Sequence, residues 1–217
     1  MAVQPRTRAA KAAKALAPKA PEERRRRILS AAVDVLRERG YAGTRVADIA
    51  DAAGTSSGLV LYHFKSLENV LAEALTTVED EFYAEFETDL EHARGALDRL
   101  RHMGELGAGA GPAVGDWALW LEIWVRALRD EGARATRESL DRRWRGMLRD
   151  TIATGVAEGV FSPDDIDDTT VRLASLMDGL AIQLALADPD MSSDRMSALW
   201  LAASAQELRI APGMLNH

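Results

Sequence analysis

The chain contains no cysteine. Disulfides, thiolate nucleophiles and cysteine-ligated metals are therefore excluded. Histidine is almost as scarce, with only His63, His92, His102 and His217. Of these, only Asp89-x-x-His92 has helical ligand spacing, whereas a di-metal bundle needs two such pairs and further carboxylates. No metal and no cofactor is expected. Nowhere do about 18 apolar residues run uninterrupted, so no membrane span is expected. The N-terminus has basic residues but no apolar run, which argues against a signal peptide and for a cytoplasmic protein. Strand-period alternation of useful length is also missing, so the expected class is all-α.

What is present is a strongly uneven charge. Residues 1–66 hold 13 Lys/Arg against 6 Asp/Glu, a net of +7, and residues 67–217 hold 14 against 28, a net of −14. A basic module suited to a polyanion is thus joined to an acidic body. The overall charge of −7 does not argue against nucleic acid, because the local field decides.

Residues 1–21 are Ala, Lys, Arg and Pro with little apolar bulk, and are expected to form a disordered basic arm. Ile28, Ala32, Val35 and Leu36 recur at helical spacing and predict a first helix from about Pro21 to Arg39, with Gly40 just past its end. Arg24 to Arg27 at its start oppose the helix dipole, so they are either solvated or matched by an anion. A second helix is expected from about Arg45 to Ala53, with Thr44 as its cap and Val46, Ile49, Ala50 and Ala53 facing inward. A third spans about Ser57 to Phe64, capped by Thr55 or Ser56, with Val60, Leu61 and Phe64 inward.

Two short helices, a permissive turn at Gly54 and a small residue at Ala50, where the helices cross, describe a helix-turn-helix. Its second helix is free to enter a major groove about 12 Å wide. Ser56, Ser57, Leu59, Tyr62 and His63 are candidates to face DNA. Thr44, Arg45, Tyr62 and Lys65 are candidate phosphate contacts, Thr55 is counted with the DNA-binding residues, and Gly58 permits close backbone approach. One competing motif is rejected. Gly54-Thr55-Ser56-Ser57-Gly58 matches the G-x-S-x-G elbow of hydrolases, but that elbow needs a strand before it.

The run G-Y-A-G-T-R-V-A-D-I-A-D-A-A-G-T-S-S-G-L-V-L-Y-H-F-K-S-L-E-N-V-L, within residues 24–71, resembles the DNA-binding domain of the tetracycline-repressor (TetR) family. That resemblance implies a homodimeric, ligand-responsive transcription factor, usually a repressor. The segment W-A-L-W-L-E-I-W-V-R-A-L-R-D at residues 117–130 resembles the C-terminal domain of the BetI-type subgroup.

The remaining chain, residues 67–217, is read as an effector-binding and dimerisation domain after a DNA-binding domain at 22–66, about nine helices in all. A fourth helix from Leu67 to about His92 carries Leu67, Leu71, Leu75, Val78, Phe82, Phe86 and Leu90, and is roughly 37 Å long, enough to couple module to body. The glycines from Gly104 to Gly115 break the chain after a fifth helix and lack the context of a phosphate loop. Trp117, Trp120, Trp124 and Leu128 line one face of a sixth helix, either as core or as a pocket wall suited to aromatic or cationic ligands. Trp144, Met147 and Met177 are further wall candidates. Asp178 sits among small and apolar helical neighbours, and either meets a buried cation or lines the cavity. Ser162-Pro163-Asp164-Asp165 reads as the start of an eighth helix reaching Ala187, and Ser192 or Ser193 as the start of a ninth reaching Leu208. These last two, near 163–187 and 192–208, are expected to pair with their copies in a homodimer, placing two third helices on a palindromic operator. Competing readings are a helical enzyme or carrier, for which no convergent catalytic side chains are found, a protein-binding adaptor, and a regulator activated by its effector.

Overall fold

The computed structural model describes residues 19–91, 93–108, 117–211 and 213–215. The described residues form helices and turns, with no strand among them. In chain order the helices are α1 (Lys19–Gly43), α2 (Val46–Ala52), α3 (Ser57–Phe64), α4 (Leu67–Glu91), α5 (Ala96–Gly107), α6 (Trp117–Ala127), α7 (Glu131–Ala157), α8 (Ile166–Ala185) and α9 (Ser193–Glu207). The chain divides into two compact units, Met1–Val78 and Glu79–His217, so the division falls inside α4. The basic arm expected at 1–21 falls almost entirely outside the described residues, and so do residues 109–116, His92 and His217. The α4 side chains of Val78, Phe82, Phe86 and Leu90 are outside them too.

The first unit is a small core wrapped by short helices. Its buried residues are Ile28, Ala32 and Leu36 of α1, Ile49 and Ala50 of α2, Val60 and Phe64 of α3, and Val70, Leu71 and Ala74 of α4. Within α1 the helix is broken at Gly40, whose φ of +69° and ψ of 172° are non-helical, so the run expected to end at Arg39 stops there and a last short turn continues to Gly43. Gly54 has φ +59°, and a Cβ there would meet nothing within 4 Å. Its glycine is required by backbone conformation rather than by space. After it, the Thr55 N–H donates to the Ala50 carbonyl at 2.9 Å and closes the turn. Arg25 fastens the unit from outside. Its guanidinium lies 4.9 Å from the centre of the Phe64 ring and pairs with Glu73. One of the four clustered arginines is therefore spent on the fold.

Two expectations need correction in this unit. The cap of α2 is Arg45, whose N–H donates to Asp48 Oδ2 at 3.1 Å. Thr44 is instead turned inward, 3 % exposed, with its hydroxyl donating to the Gly40 carbonyl at 2.7 Å. That carbonyl is left free by the break at Gly40, and it claims the hydroxyl. Leu61 is not an inward residue but 40 % exposed. The seam of α3 is set by Val60 and Phe64, and at about 100° per residue Leu61 falls well to one side of it.

The second unit is a bundle in which α5, α7, α8 and α9 surround Leu100, Met103, Leu148, Ile152, Leu173, Met177, Met196 and Trp200. Trp200 is fully buried and its indole N–H donates to the Leu173 carbonyl at 2.9 Å, joining α9 to α8. Gly104 and Gly107, expected to break the chain, belong to α5. A Cβ on Gly104 would stand 3.0 Å from Leu201, and one on Gly107 would stand 2.4 Å from Met177. They are packing glycines that let α9 and α8 approach α5. Helix α8 begins at Ile166, not at Ser162-Pro163, because Asp165 takes the cap and accepts from the Asp168 N–H at 2.8 Å. The preceding segment is tied elsewhere: the Ser162 N–H donates to the Leu208 carbonyl at 2.9 Å, and Asp164 pairs with Arg209.

Candidate nucleic-acid interface and effector site

Helix α3 is positioned from both ends. At its start the Ser56 hydroxyl accepts from the Leu59 N–H at 3.3 Å. At its end Lys65 takes φ 72° and stops the helix, and Asn69 Nδ2 donates to the Phe64 carbonyl at 2.9 Å. Val60 and Phe64 face inward, so the opposite side is presented. Tyr62 is 69 % exposed, and Ser56, Gly58 and Lys65 are exposed beside it, whereas Thr55, Ser57, Leu59 and His63 are half-buried. Lys65 Nζ donates to the Tyr62 carbonyl at 3.0 Å and lies 5.4 Å from the centre of the Tyr62 ring. The His63 ring meets Tyr62 edge-on at 5.5 Å. Arg45 is exposed at the start of α2. The result is a short convex surface with aromatic and hydroxyl groups along it and a cation at its end. Of the residues expected there, only Thr44 is turned away. Leu61 was missed because its period in the sequence did not separate seam from flank.

The expected effector residues are only partly gathered. Met177 is buried in the second unit's core, with Trp117, Trp144 and Met147 half-buried against that core. The Trp117 indole N–H donates to the Gly107 carbonyl at 3.2 Å. Trp120 and Trp124 are half-buried on α6, where Ile123 and Ala127 are the buried residues. Leu128 lies beyond α6 and is 75 % exposed, so the expected four-residue face ends one turn early. Asp178 is half-buried on α8, facing α7. Burial, and then the neighbouring Asp141 carboxylate, push its carboxyl up to about 6, against the opposing pull of Arg145 and Arg137. Arg137 is itself engaged by Asp141 at 2.7 Å. A separate groove of about 990 Å³ lies between α5, α9 and residues 209–215, lined by Ala108, Leu201, Ala205 and Ile210 among others, and includes none of the expected effector residues. Among the described residues no group of His, Asp and Glu is arranged to hold a metal, and no helix is long and apolar enough to cross a membrane.

A small helical unit from the basic end of the chain, with its third helix partly exposed, joined to a larger helical bundle, defines a two-part helix-turn-helix DNA-binding regulator. Residues 28–74 match the model for bacterial regulatory proteins of the tetR family, and residues 96–209 match that for the BetI-type transcriptional repressor C-terminal domain. The chain is 31% identical over 158 residues to the HTH-type transcriptional repressor KstR2 of Mycolicibacterium smegmatis, covering 69% of this chain and 74% of that one. It is 26% identical to the HTH-type transcriptional regulator BetI of Agrobacterium fabrum, over 75% and 77% of the two chains. A crystal structure of a putative transcriptional regulator from Saccharomonospora viridis in complex with choline matches with a TM-score of 0.78 and 32% identity, covering 87% of this chain and 98% of that one. The chain belongs to the TetR family, with a BetI-type C-terminal domain. It is a ligand-responsive, DNA-binding transcriptional regulator.

Proposed function

We propose that this regulator is a cytoplasmic homodimeric repressor that holds a palindromic operator through α3 and is released by a cationic small molecule bound in its second unit. The DNA contacts we assign are Arg45 and Lys65 to phosphates, and Ser57, Gly58, Leu59, Tyr62 and His63 to the groove. Ser56 and Thr55 hold the turn that aims them. The partner copy would dock on α8 and α9, where Val171 and Leu199, with Leu186 just past the end of α8, are 50, 41 and 68 % exposed. Large apolar side chains left exposed on two packed helices favour a subunit interface over solvent.

The observation that carries the cationic effector is Asp178, a carboxylate half-buried on α8 near charged residues of α7, next in sequence to Met177 of a core that Trp117 and Trp144 pack against. A positive ligand held by indole faces would restore the charge that burial disfavours. The choline bound by the Saccharomonospora viridis protein, 32% identical overall, supports the same class. Release then follows by linkage: the ligand must bind better to a state in which the two α3 helices no longer fit the operator spacing, and α4 is the chain's direct route between units.

The test is operator release in a mobility-shift assay titrated with choline and with tetramethylammonium. Release by either at micromolar to millimolar concentration, weakened at least tenfold in Asp178→Asn, is expected. Binding that neither cation alters would overturn the effector class. A monomer in analytical ultracentrifugation would overturn the assembly. Tighter operator binding with cation would reverse the polarity and make it a co-repressor.

A further inference from the structure

The first unit buries its large apolar side chains almost completely. Among its described residues only two large hydrophobics are exposed, Leu61 and Tyr62, and both lie on α3. Tyr62 has a hydroxyl and a lysine over its ring to account for its place in water. Leu61 has neither, and an unpartnered leucine on a polar surface gains nothing from solvent.

The helix geometry says what lies beside it. Taking the Val60–Phe64 seam as the inner line, Tyr62 is roughly opposite, Leu59 and His63 fall on one flank, and Gly58 and Leu61 on the other. Helical side chains lean toward the N-terminus, so Leu61 leans over the turn that contains Gly58. A Cβ at Gly58 would meet only Ser56 Oγ, at 4.0 Å. Ser57 shares this flank but is half-buried, and the Ser56 hydroxyl already accepts from the Leu59 N–H, so the large exposed side chain here is Leu61. Leucine offers a base edge no hydrogen-bond donor or acceptor, only apolar surface. The apolar group that a major groove does present is the thymine 5-methyl.

We propose that Leu61 packs on the 5-methyl group of a thymine in each operator half-site, and so sets base preference at that position by shape, without a hydrogen bond. Discrimination there is against cytosine and uracil alike. The close approach this needs is provided by Gly58.

The test uses the full-length protein and the operator obtained by selection from random duplex DNA. Each thymine of a half-site is replaced in turn by deoxyuridine, which removes one methyl and keeps every base-pairing group. One position is expected to lose about three- to fivefold in affinity, the effect of one buried methyl group, and replacement in both half-sites about the square of that. Leu61→Ala is expected to bind thymine and uracil operators equally. Leu61→Met, which restores apolar bulk, is expected to recover the preference. Because Leu61 is exposed, both variants keep the melting temperature and low-salt affinity for random DNA, which separates lost readout from lost fold. Uracil replacements that cost less than twofold throughout would overturn the proposal. So would a thymine preference that persists undiminished in Leu61→Ala.

Discussion

Thr44 and Asp178 are both polar side chains set among apolar neighbours, one in each unit, and they are handled in opposite ways. The Thr44 hydroxyl is matched by a carbonyl that the chain's own break at Gly40 leaves free. Around it the first unit matches its other polar groups in the same local manner, Ser56 to Leu59, Asp48 to Arg45, Asn69 to Phe64. Asp178 is left with an acidic neighbour and two arginines, of which one is already committed to that neighbour. A unit with its polar groups matched from within is fixed in shape and suits a reading surface. In a unit holding one carboxylate above its ordinary range a bound cation would recover free energy, which is the basis of the effector proposed above.

The contrast can be broken or sharpened by substitution. The largest effect belongs to the second unit's core: Trp200→Ala removes its largest fully buried side chain and the bond to Leu173, and is expected to cost about 3–5 kcal/mol in denaturant unfolding. Next is Asp178→Asn. The folded carboxyl titrates near 6, above its ordinary 3.8, so its contribution to stability is present below about pH 4 and is lost as pH rises through 6. The variant is therefore expected to be more stable than the parent by about 1–2 kcal/mol at pH 8, discounted for partial exposure, and no more stable at pH 4. Equal stabilisation at both pH values would erase the distinction between the units. Thr44→Val keeps shape and strands the Gly40 carbonyl, with an expected loss of about 1 kcal/mol read by thermal melting. Smallest is Lys65→Gly. It relieves the left-handed backbone and stabilises by a few tenths of a kcal/mol, yet lowers operator affinity and reduces the salt slope by about one phosphate. A salt series on the mobility shift separates the two signs.

How far these features were legible in the chain depended on how local their causes are. The limits of α3, Ser57–Phe64, follow from a serine cap and a seam four residues apart, and both could be read. The place of Thr44 could not, because the carbonyl that claims its hydroxyl sits at a backbone break four residues earlier. Leu61 was misplaced because one turn of helix cannot separate the edge of a seam from its centre. Gly104 and Gly107 looked like loop residues because their reason lies in Leu201 of α9 and Met177 of α8, 97 and 70 residues further along the chain, and no local pattern shows it. Asp178 stood out by its apolar neighbours alone, but the carboxylate that raises it comes from α7, across the bundle.

The brevity of α3 has a consequence for information. Eight residues with two turned inward leave a handful of side chains for the groove. If each settles about one base pair, a single copy specifies roughly four, a word that recurs about once in every few hundred base pairs. A genome offers on the order of 10⁶–10⁹ competing sites. In the proposed homodimer, two copies reading in register would square the odds and still fall short of a unique address. The missing bits must come from spacing and from the shape of the duplex between the half-sites, which makes distance itself part of the message, and a change of distance the simplest way to erase it.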